Sequence, residues 1–498
     1  MTDPLLWTLI SVQIAMGLFD TLVHHEVTER LAWRASQKLE LRLHGIRNFF
    51  YAVISLTFAW TEPHGVFTLL FAAILALEVI ITLWDFVEED LTRKLPWTER
   101  INHTLLTLNY GAILALLAPI LWQWLFLPSA MVPVGYGWWS VMASIAALGV
   151  AVFSARDLLA ASRSERLLKP DAAELVSVLP PRRHVLVTGG TGFIGVRLVE
   201  ALVAAGHSVT VLTRDLRKAE LLSHPVRVIS NLGQIHSKDR VDAIVNLAGD
   251  PIANGLWTSR KREQIIVSRI AMTSALNELI ERLEIKPDCL ISGSAIGWYG
   301  LRGDEVLTES ATSAPAFTHE VCEKWEQAAM KISEHGVRVV ALRIGLVLGV
   351  DGGMLARLLT PFEFGGGTKL GNGGQWMSWI ERDDLVRVIA YAMTNKRLES
   401  PVNATAPEPV RNAVFTRALA RALTRPAFLR IPAWLLSTAL GDMARETMLA
   451  SQRVVPKRLL DQGFVFRHPK LEPMLRSITG STTGSKSKPN REIGVALR

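Results

Sequence analysis

The chain has 498 residues, two cysteines, a net charge of +8 and 49% hydrophobic residues, with a mean hydropathy of +0.25. Two cysteines, Cys289 and Cys322, exclude a disulfide framework and fit a reducing compartment. The positive charge does not mark a nucleic-acid binder, because many basic residues flank hydrophobic segments and no basic–aromatic interleaving accompanies them.

Taken in order, five apolar segments come first, at roughly 5–23, 47–61, 65–86, 104–127 and 138–160, each near the length that crosses a bilayer. The second is the shortest and carries Asn48 and Tyr51. The first lacks the basic start and small-residue cleavage site of a signal peptide. Alternate loops differ in charge. Stretches 24–47, 87–103 and the run after 155 are rich in Arg and Lys, whereas "TEPHG" (61–65) and "LPSAMVPVGYG" (127–137) have none. The positive-inside rule then predicts an integral membrane domain over 1–160, its N-terminus outside and everything after it cytoplasmic.

Polar residues recur in this domain. Gln13, Asp20 and His24 share a helical face, Glu78 and Asp85 lie seven apart, and Glu40/His44 and Glu99/His103 are i,i+4 pairs. Two readings stand. In one, Glu40, His44, Glu99 and His103 hold a metal or a haem inside the bundle. In the other, the charges lie at the bilayer edge and pair with arginines.

Residues 161–181 read as a polar, proline-ended linker. "RHVLVTGGTGFIG" follows, an apolar strand, then Gly189, Gly192 and Gly195, then a helical pattern and a second strand "HSVTVLTRD". This is the opening of a dinucleotide-binding fold, in which Gly189, Gly190, Thr191, Gly192, Phe193, Ile194 and Gly195 bring backbone amides and a helix N-terminus to a pyrophosphate. The second strand ends in Thr213, Arg214 and Asp215. Arg214 favours NADP through a ribose 2′-phosphate, while Asp215 argues for NAD. The strand in "VDAIVNLAGDPI" ends in Leu247, Ala248 and Gly249, a turn that suits backbone beneath the cofactor.

"VTGGTGFIG", "VNLAGDPI", "SGSAIGWYG", "LRIGLVLG" and "QWMSWIERDDL" together resemble the atypical extended short-chain dehydrogenases, in the branch labelled NAD-dependent epimerase/dehydratase. Residues 451–475 resemble that branch's C-terminal module of unknown function. The resemblance covers about 183–475 and leaves out the membrane domain. It implies a Rossmann-type, doubly wound parallel sheet over 182–475, with a small substrate lobe from about 350. It implies a catalytic hydroxyl at Ser294 that bonds a substrate oxygen. It also implies a Tyr-x-x-x-Lys pair on the next helix, but Thr318 and Cys322 stand at those positions and Lys324 is out of register. Tyr299 is the substitute proton donor, or it packs under the nicotinamide loop. His319 and Lys324 are read as facing water, and Cys322 as a small apolar residue.

Trp376 and Trp379 form a platform for a flat group, or pack into the core. Asp383 and Asp384 read as N-capping and dipole residues. Arg343 either binds an anionic substrate or pairs with a carboxylate. The tail 476–498 reads as disordered. The expectation is a membrane-anchored, cytoplasm-facing NADP(H)-binding oxidoreductase or epimerase-like enzyme with a small-molecule substrate and a lipid-bilayer partner. Two rivals are a non-catalytic NADP(H) sensor and a membrane metal or haem site served by the soluble domain.

Overall fold

The computed structural model describes residues 3–481 apart from 94, 165, 168, 169 and 221, so most of the tail read as disordered lies outside the described residues. The chain divides into two compact units, Met1–Leu168 and Lys169–Arg498.

The first unit is helical: α1 (Pro4–Phe19), α2 (Lys38–Trp60), α3 (Val66–Thr92), α4 (Trp97–Leu125) and α5 (Trp138–Ser164). Between α1 and α2 lies a wide helical turn, Asp20–Glu29, ended by Arg30 in the left-handed region. A short antiparallel ribbon, β1 (Thr61–His64) with β2 (Ala130–Pro133), is formed by the two loops without Lys or Arg.

Four stretches, Pro4–Trp33, Val66–Thr92, Trp97–Leu125 and Trp138–Ser164, are long and apolar enough to cross a membrane. The second expected segment forms a longer helix than its apolar core, because Glu40, His44, Arg47 and Asn48 of α2 are buried inside the unit. Its low hydropathy follows from that buried polar face.

Beside an apolar cluster of Leu6, Ile54, Phe58, Phe71, Leu75 and Leu117, the second half of α3 is inverted relative to a helix of a water-soluble bundle. On α3, Glu78, Asp85 and Glu89 are 0–1% exposed, while Ile80, Leu83, Trp84 and Val87 are 54–59% exposed. Water favours the opposite arrangement, since each exposed apolar side chain forgoes about 1.5–3 kcal/mol of burial.

The second unit holds a seven-stranded parallel sheet. Its labelled strands are β3 (His184–Thr188), β4 (Ser208–Leu212), β5 (Arg227–Ile229), β6 (Ala243–Asn246) and β7 (Cys289–Ala295). They are joined by β9 (Arg338–Ile344) and the edge strand Val402–Ala404, in the order Val402–Ala404, β9, β7, β6, β3, β4, β5. The run β3–β7 is almost entirely buried and apolar, as a sheet covered on both faces requires. Helices α6 (Phe193–Ala204) and Arg382–Thr394 cover one face. Helix α8 (Ser259–Arg282) covers the other. The chain leaves β3 toward β4 on one side and toward β6 on the other, so the loops at the carboxyl ends of β3 and β6 frame a crevice.

The stretch read as a linker is structured beyond Pro170. A turn at Ala173–Val176 buries Leu175 and Val176, and Arg197 donates to the Pro170 carbonyl at 3.0 Å. The expected N-capping by Asp383 and Asp384 is corrected: the cap of Arg382–Thr394 is Glu381, which accepts from the Asp384 amide at 2.9 Å. Asp383 instead takes two bonds from Arg197, and Asp384 accepts the Arg467 and His468 amides. That last contact fastens the C-terminal segment, which also pairs Arg453–Val454 with β8 (Val306–Leu307) and buries Phe464 and Phe466 in the core.

Candidate active site

The loop between β3 and α6 is shaped by close backbone approach. Gly189 has φ +70°, and a Cβ there would lie 2.7 Å from the Leu247 carbonyl group. At Gly195 a Cβ would meet the Gly189 oxygen at 2.2 Å. The Gly192 amide donates to the Gly189 carbonyl at 3.0 Å, and Gly192 is the N-cap of α6. Gly190, Thr191, Phe193 and Ile194 complete the turn. Phe193 packs against Gly352, with the Arg382 guanidinium 4.9 Å from its ring. The turn Leu247–Ala248–Gly249 lies directly beside Gly189, as its amide bond to Thr188 at 3.1 Å requires.

At the end of β4 the two residues that argued for different cofactors have different roles. Asp215 caps the short helix α7 (Leu216–Ala219) by accepting the Arg217 amide at 3.1 Å, and it pairs with the Arg217 side chain at 3.5 Å. Buried Thr213 holds the Asp215 backbone at 3.2 Å. Arg214 is exposed, and among the described residues nothing pairs with its guanidinium.

Ser294 lies at the end of β7 and donates to Glu326 Oε1 at 2.7 Å. Glu326 comes from α9 (Phe317–Met330) and takes two bonds from Arg343 of β9, both at 2.9 Å. Arg343 also donates to the Tyr299 hydroxyl at 3.2 Å and lies over the Trp298 ring at 3.4 Å. This decides between the two readings of Arg343: it pairs with a carboxylate.

Tyr299 does not supply an open proton donor. It is 0% exposed, and its hydroxyl donates to Asn403 at 2.7 Å. Burial pushes its pKa up, further from a group that exchanges protons near neutrality. Cys322 is buried beside Ser294 and Glu326, and burial pushes its thiol up to about 11. His319 is turned inward, its Nδ1 2.7 Å from the Trp298 carbonyl, whereas Lys324 is exposed and pairs with Glu320. The glutamate Glu326 and the buried Arg269, which bonds the Asp250 carbonyl at 3.0 Å beneath Gly249, were not assigned from sequence. Their only sequence signal is a charge on the inward side of an otherwise amphipathic helix.

The tryptophan platform is corrected in part. Trp379 is 0% exposed and bonds the Glu408 carbonyl, so it is core. Trp376 is half-buried, with Arg411 and Arg453 each 4.6 Å from its ring.

In the helical unit, Glu99 and His103 come together with Asp20 and His25. The expected partners Glu40 and His44 stand outside that group. Glu40 bonds Arg93 at 3.1 Å, and His44 bonds Asp157 at 3.1 Å.

Comparison with known proteins places the second unit. Residues 185–404 match the NAD dependent epimerase/dehydratase family, and residues 431–478 match a domain of unknown function. An epimerase family protein SDR39U1 homolog of Arabidopsis thaliana, a chloroplastic protein, is 40% identical over 303 residues, 59% of this chain and 86% of that protein. The chain belongs to the epimerase family. The Bacillus subtilis epimerase family protein YfhF is 36% identical over 58% of this chain and 95% of its own length. Among solved structures, the human epimerase family protein SDR39U1 with NADPH has a TM-score of 0.54 and 30% identity, covering 59% of this chain and 99% of its own. A nucleoside-diphosphate sugar epimerase of Corynebacterium glutamicum has a TM-score of 0.50 and 31% identity, over 65% of this chain and 63% of its own. This epimerase-family chain is therefore NAD(P)-binding and epimerase-like in its second unit. Both family matches begin after residue 184, so they leave the helical unit aside.

Proposed function

We propose that the protein is a membrane-anchored NADP(H)-dependent oxidoreductase or epimerase-like enzyme whose second unit faces the cytoplasm. The observation that carries the cofactor choice is at the end of β4: Asp215 is committed to capping α7, while Arg214 is exposed and, among the described residues, has no partner. Gly189 and Gly195 let the β3–α6 turn close against the Leu247 and Gly189 backbone, an approach a Cβ would block, and this tight turn at a helix N-terminus fits a dinucleotide. The α6 N-terminus, with the amides of Phe193, Ile194 and Gly195, would hold the pyrophosphate, and Arg214 the 2′-phosphate. NADP supplies a hydride acceptor or donor when bound.

The chain's own residues then handle the proton. Ser294 is 3% exposed and directs its hydrogen to Glu326, so its Oγ lone pairs are the acceptors for a substrate hydroxyl at the end of β7. The proton of Ser294 passes to Glu326 Oε1, and Arg343 fixes the carboxylate in the plane of two bonds. Anchoring is supported by the polar-in, apolar-out faces of α3 and by four helices of spanning length. A second reading, a non-catalytic NADP(H) sensor, is favoured by the absence of Tyr and Lys at Thr318 and Cys322 and by the closed position of Tyr299.

Fluorescence titration of the detergent-solubilised full chain with NADPH and NADH tests the cofactor choice. Arg214→Ala should weaken NADPH by about 10- to 100-fold, the worth of a charge-assisted contact of about 1.5–3 kcal/mol, and leave NADH unchanged. Equal affinity of both cofactors, unaffected by the substitution, overturns the NADP assignment.

A further inference from the structure

We propose that the helical unit binds one divalent first-row transition-metal ion through Asp20, His25, Glu99 and His103. Each offers one ligand atom, and these atoms all lie within 4.8 Å of one another. Four donors about 2.1 Å from a common ion in a tetrahedron stand about 3.4 Å apart. His25 Nε2 is 3.4 Å from Asp20 Oδ2 and 3.7 Å from Glu99 Oε1, and His103 Nε2 is 3.2 Å from Asp20 Oδ2. The spacing is that of a ligand set around one ion.

A second, independent observation is His25 itself. It is 3% exposed, its Nε2 is aimed into the group, and among the described residues neither ring nitrogen makes a hydrogen bond. A buried imidazole without a partner is costly, and metal coordination satisfies it.

Neighbouring side chains hold the other donors in place. Asp20 Oδ1 is held by His24 Nδ1 at 2.8 Å and by Asn102 at 3.0 Å, while Oδ2 faces His25 and His103, whose Nε2 lies 3.2 Å from it and would turn from Oδ2 to the ion. His103 turns its other nitrogen, Nδ1, to Glu89 Oε2 at 3.4 Å, the carboxylate–histidine relation that fixes a ligand's tautomer. Arg93 donates to both oxygens of Glu99, at 2.9 and 2.7 Å, and fixes the carboxylate's orientation, so Oε1 would be shared between Arg93 and the ion.

Charge points the same way. Around this group, among the described residues, five buried carboxylates (Asp20, Glu40, Asp85, Glu89, Glu99) face two buried guanidiniums, Arg47 and Arg93. With neutral imidazoles the excess is three negative charges. A dication at the centre of the group offsets this charge and takes His25 Nε2 as a ligand. Two imidazoles and two carboxylates form a borderline N/O set suited to Zn²⁺, Fe²⁺, Mn²⁺ or Co²⁺.

The experiment uses the full chain in detergent, stripped with a chelator and titrated with Co²⁺. One ion per chain is expected, with visible d–d absorption of low-coordinate Co²⁺ that Zn²⁺ displaces. His25→Ala should lower the stoichiometry below 0.1 of the wild-type value, while His44→Gln keeps it. A wild-type protein that is helical and monodisperse yet gives no Co²⁺ band and no retained metal overturns the site. So does full stoichiometry in His25→Ala. Circular dichroism identifies a misfolded variant, and His103→Gln then takes its place with the same two outcomes.

Discussion

Replacing Gly195 by alanine isolates the geometry of the cofactor loop. The added Cβ would lie 2.2 Å from the Gly189 oxygen and 2.6 Å from Gly190 Cα. A carbon–oxygen contact needs about 3.2 Å, so the β3–α6 turn must move by about 1 Å. Hydrogen bonds from backbone amides to a phosphate tolerate only about 0.5 Å before they are lost. Losing two such charge-assisted bonds costs about 3–6 kcal/mol, or about 10²- to 10⁴-fold in affinity. The contacts also predict an order. Gly189→Ala, with a 2.7 Å contact and φ +70°, should be severe, and Gly192→Ala, whose nearest atom is at 3.2 Å, should be mild. NADPH fluorescence titration of the three variants, with circular dichroism to confirm folding, gives the comparison. A Gly195→Ala protein that binds NADPH within threefold of wild type would refute the assignment of this turn as the pyrophosphate cradle.

Three further outcomes are expected. Arg197 is 1% exposed and makes bonds of 2.8 and 2.7 Å to Asp383, so Arg197→Met should lower stability by about 3–5 kcal/mol in urea unfolding, because Asp383 is left buried with only the longer 3.9 Å contact to Arg382. Burial, with Asp383 beside it, pushes Glu381 up to about 7 from 4.5. The folded state therefore holds the proton more tightly than the unfolded chain, and stability falls as pH rises from about 4.5 to 7. Glu381→Gln, which keeps an acceptor for the Asp384 amide, should leave urea midpoints unchanged near pH 4 and raise them at pH 8; an equal shift at both would contradict the titration. Cys289 and Cys322 are both buried and pushed up to about 11, which leaves a thiolate fraction on the order of 10⁻³ at pH 8. Maleimide labelling followed by mass spectrometry should find no modified thiol in the native protein and two after denaturation.

What could be read from the chain alone is what adjacent residues decide. The strand, glycine turn, helix and second strand of 183–215 are contiguous, and the backbone conformation they demand is written in Gly189 and Gly195. The alternation of charged and uncharged loops between apolar segments is likewise a one-dimensional pattern, because topology depends on charge counted along the sequence. The spacing of Glu78 and Asp85 correctly put both on one face of α3, since seven residues are close to two helical turns.

Tertiary structure decided the rest. The partners of Ser294 are Glu326 and, through it, Arg343, 32 residues away and 17 further on, and no local periodicity connects a strand end, a helix and a neighbouring strand. Sequence left Tyr299 as either a proton donor or a packed residue, and Asn403, 104 residues later, decides for the second by taking its hydroxyl from the edge strand. Asp383 has the sequence position of a helix cap, yet Arg197, 186 residues earlier, claims its carboxylate through a buried pair. The same holds for the cluster in the helical unit. The i,i+4 spacing brought Glu99 and His103 to one face, but a turn of wide pitch at Asp20–Glu29, rather than α2, supplies the facing residues. Local sequence fixes which side of an element a residue occupies; only packing fixes which other element meets it, because that choice rests on the summed burial of many apolar side chains spread along the whole unit.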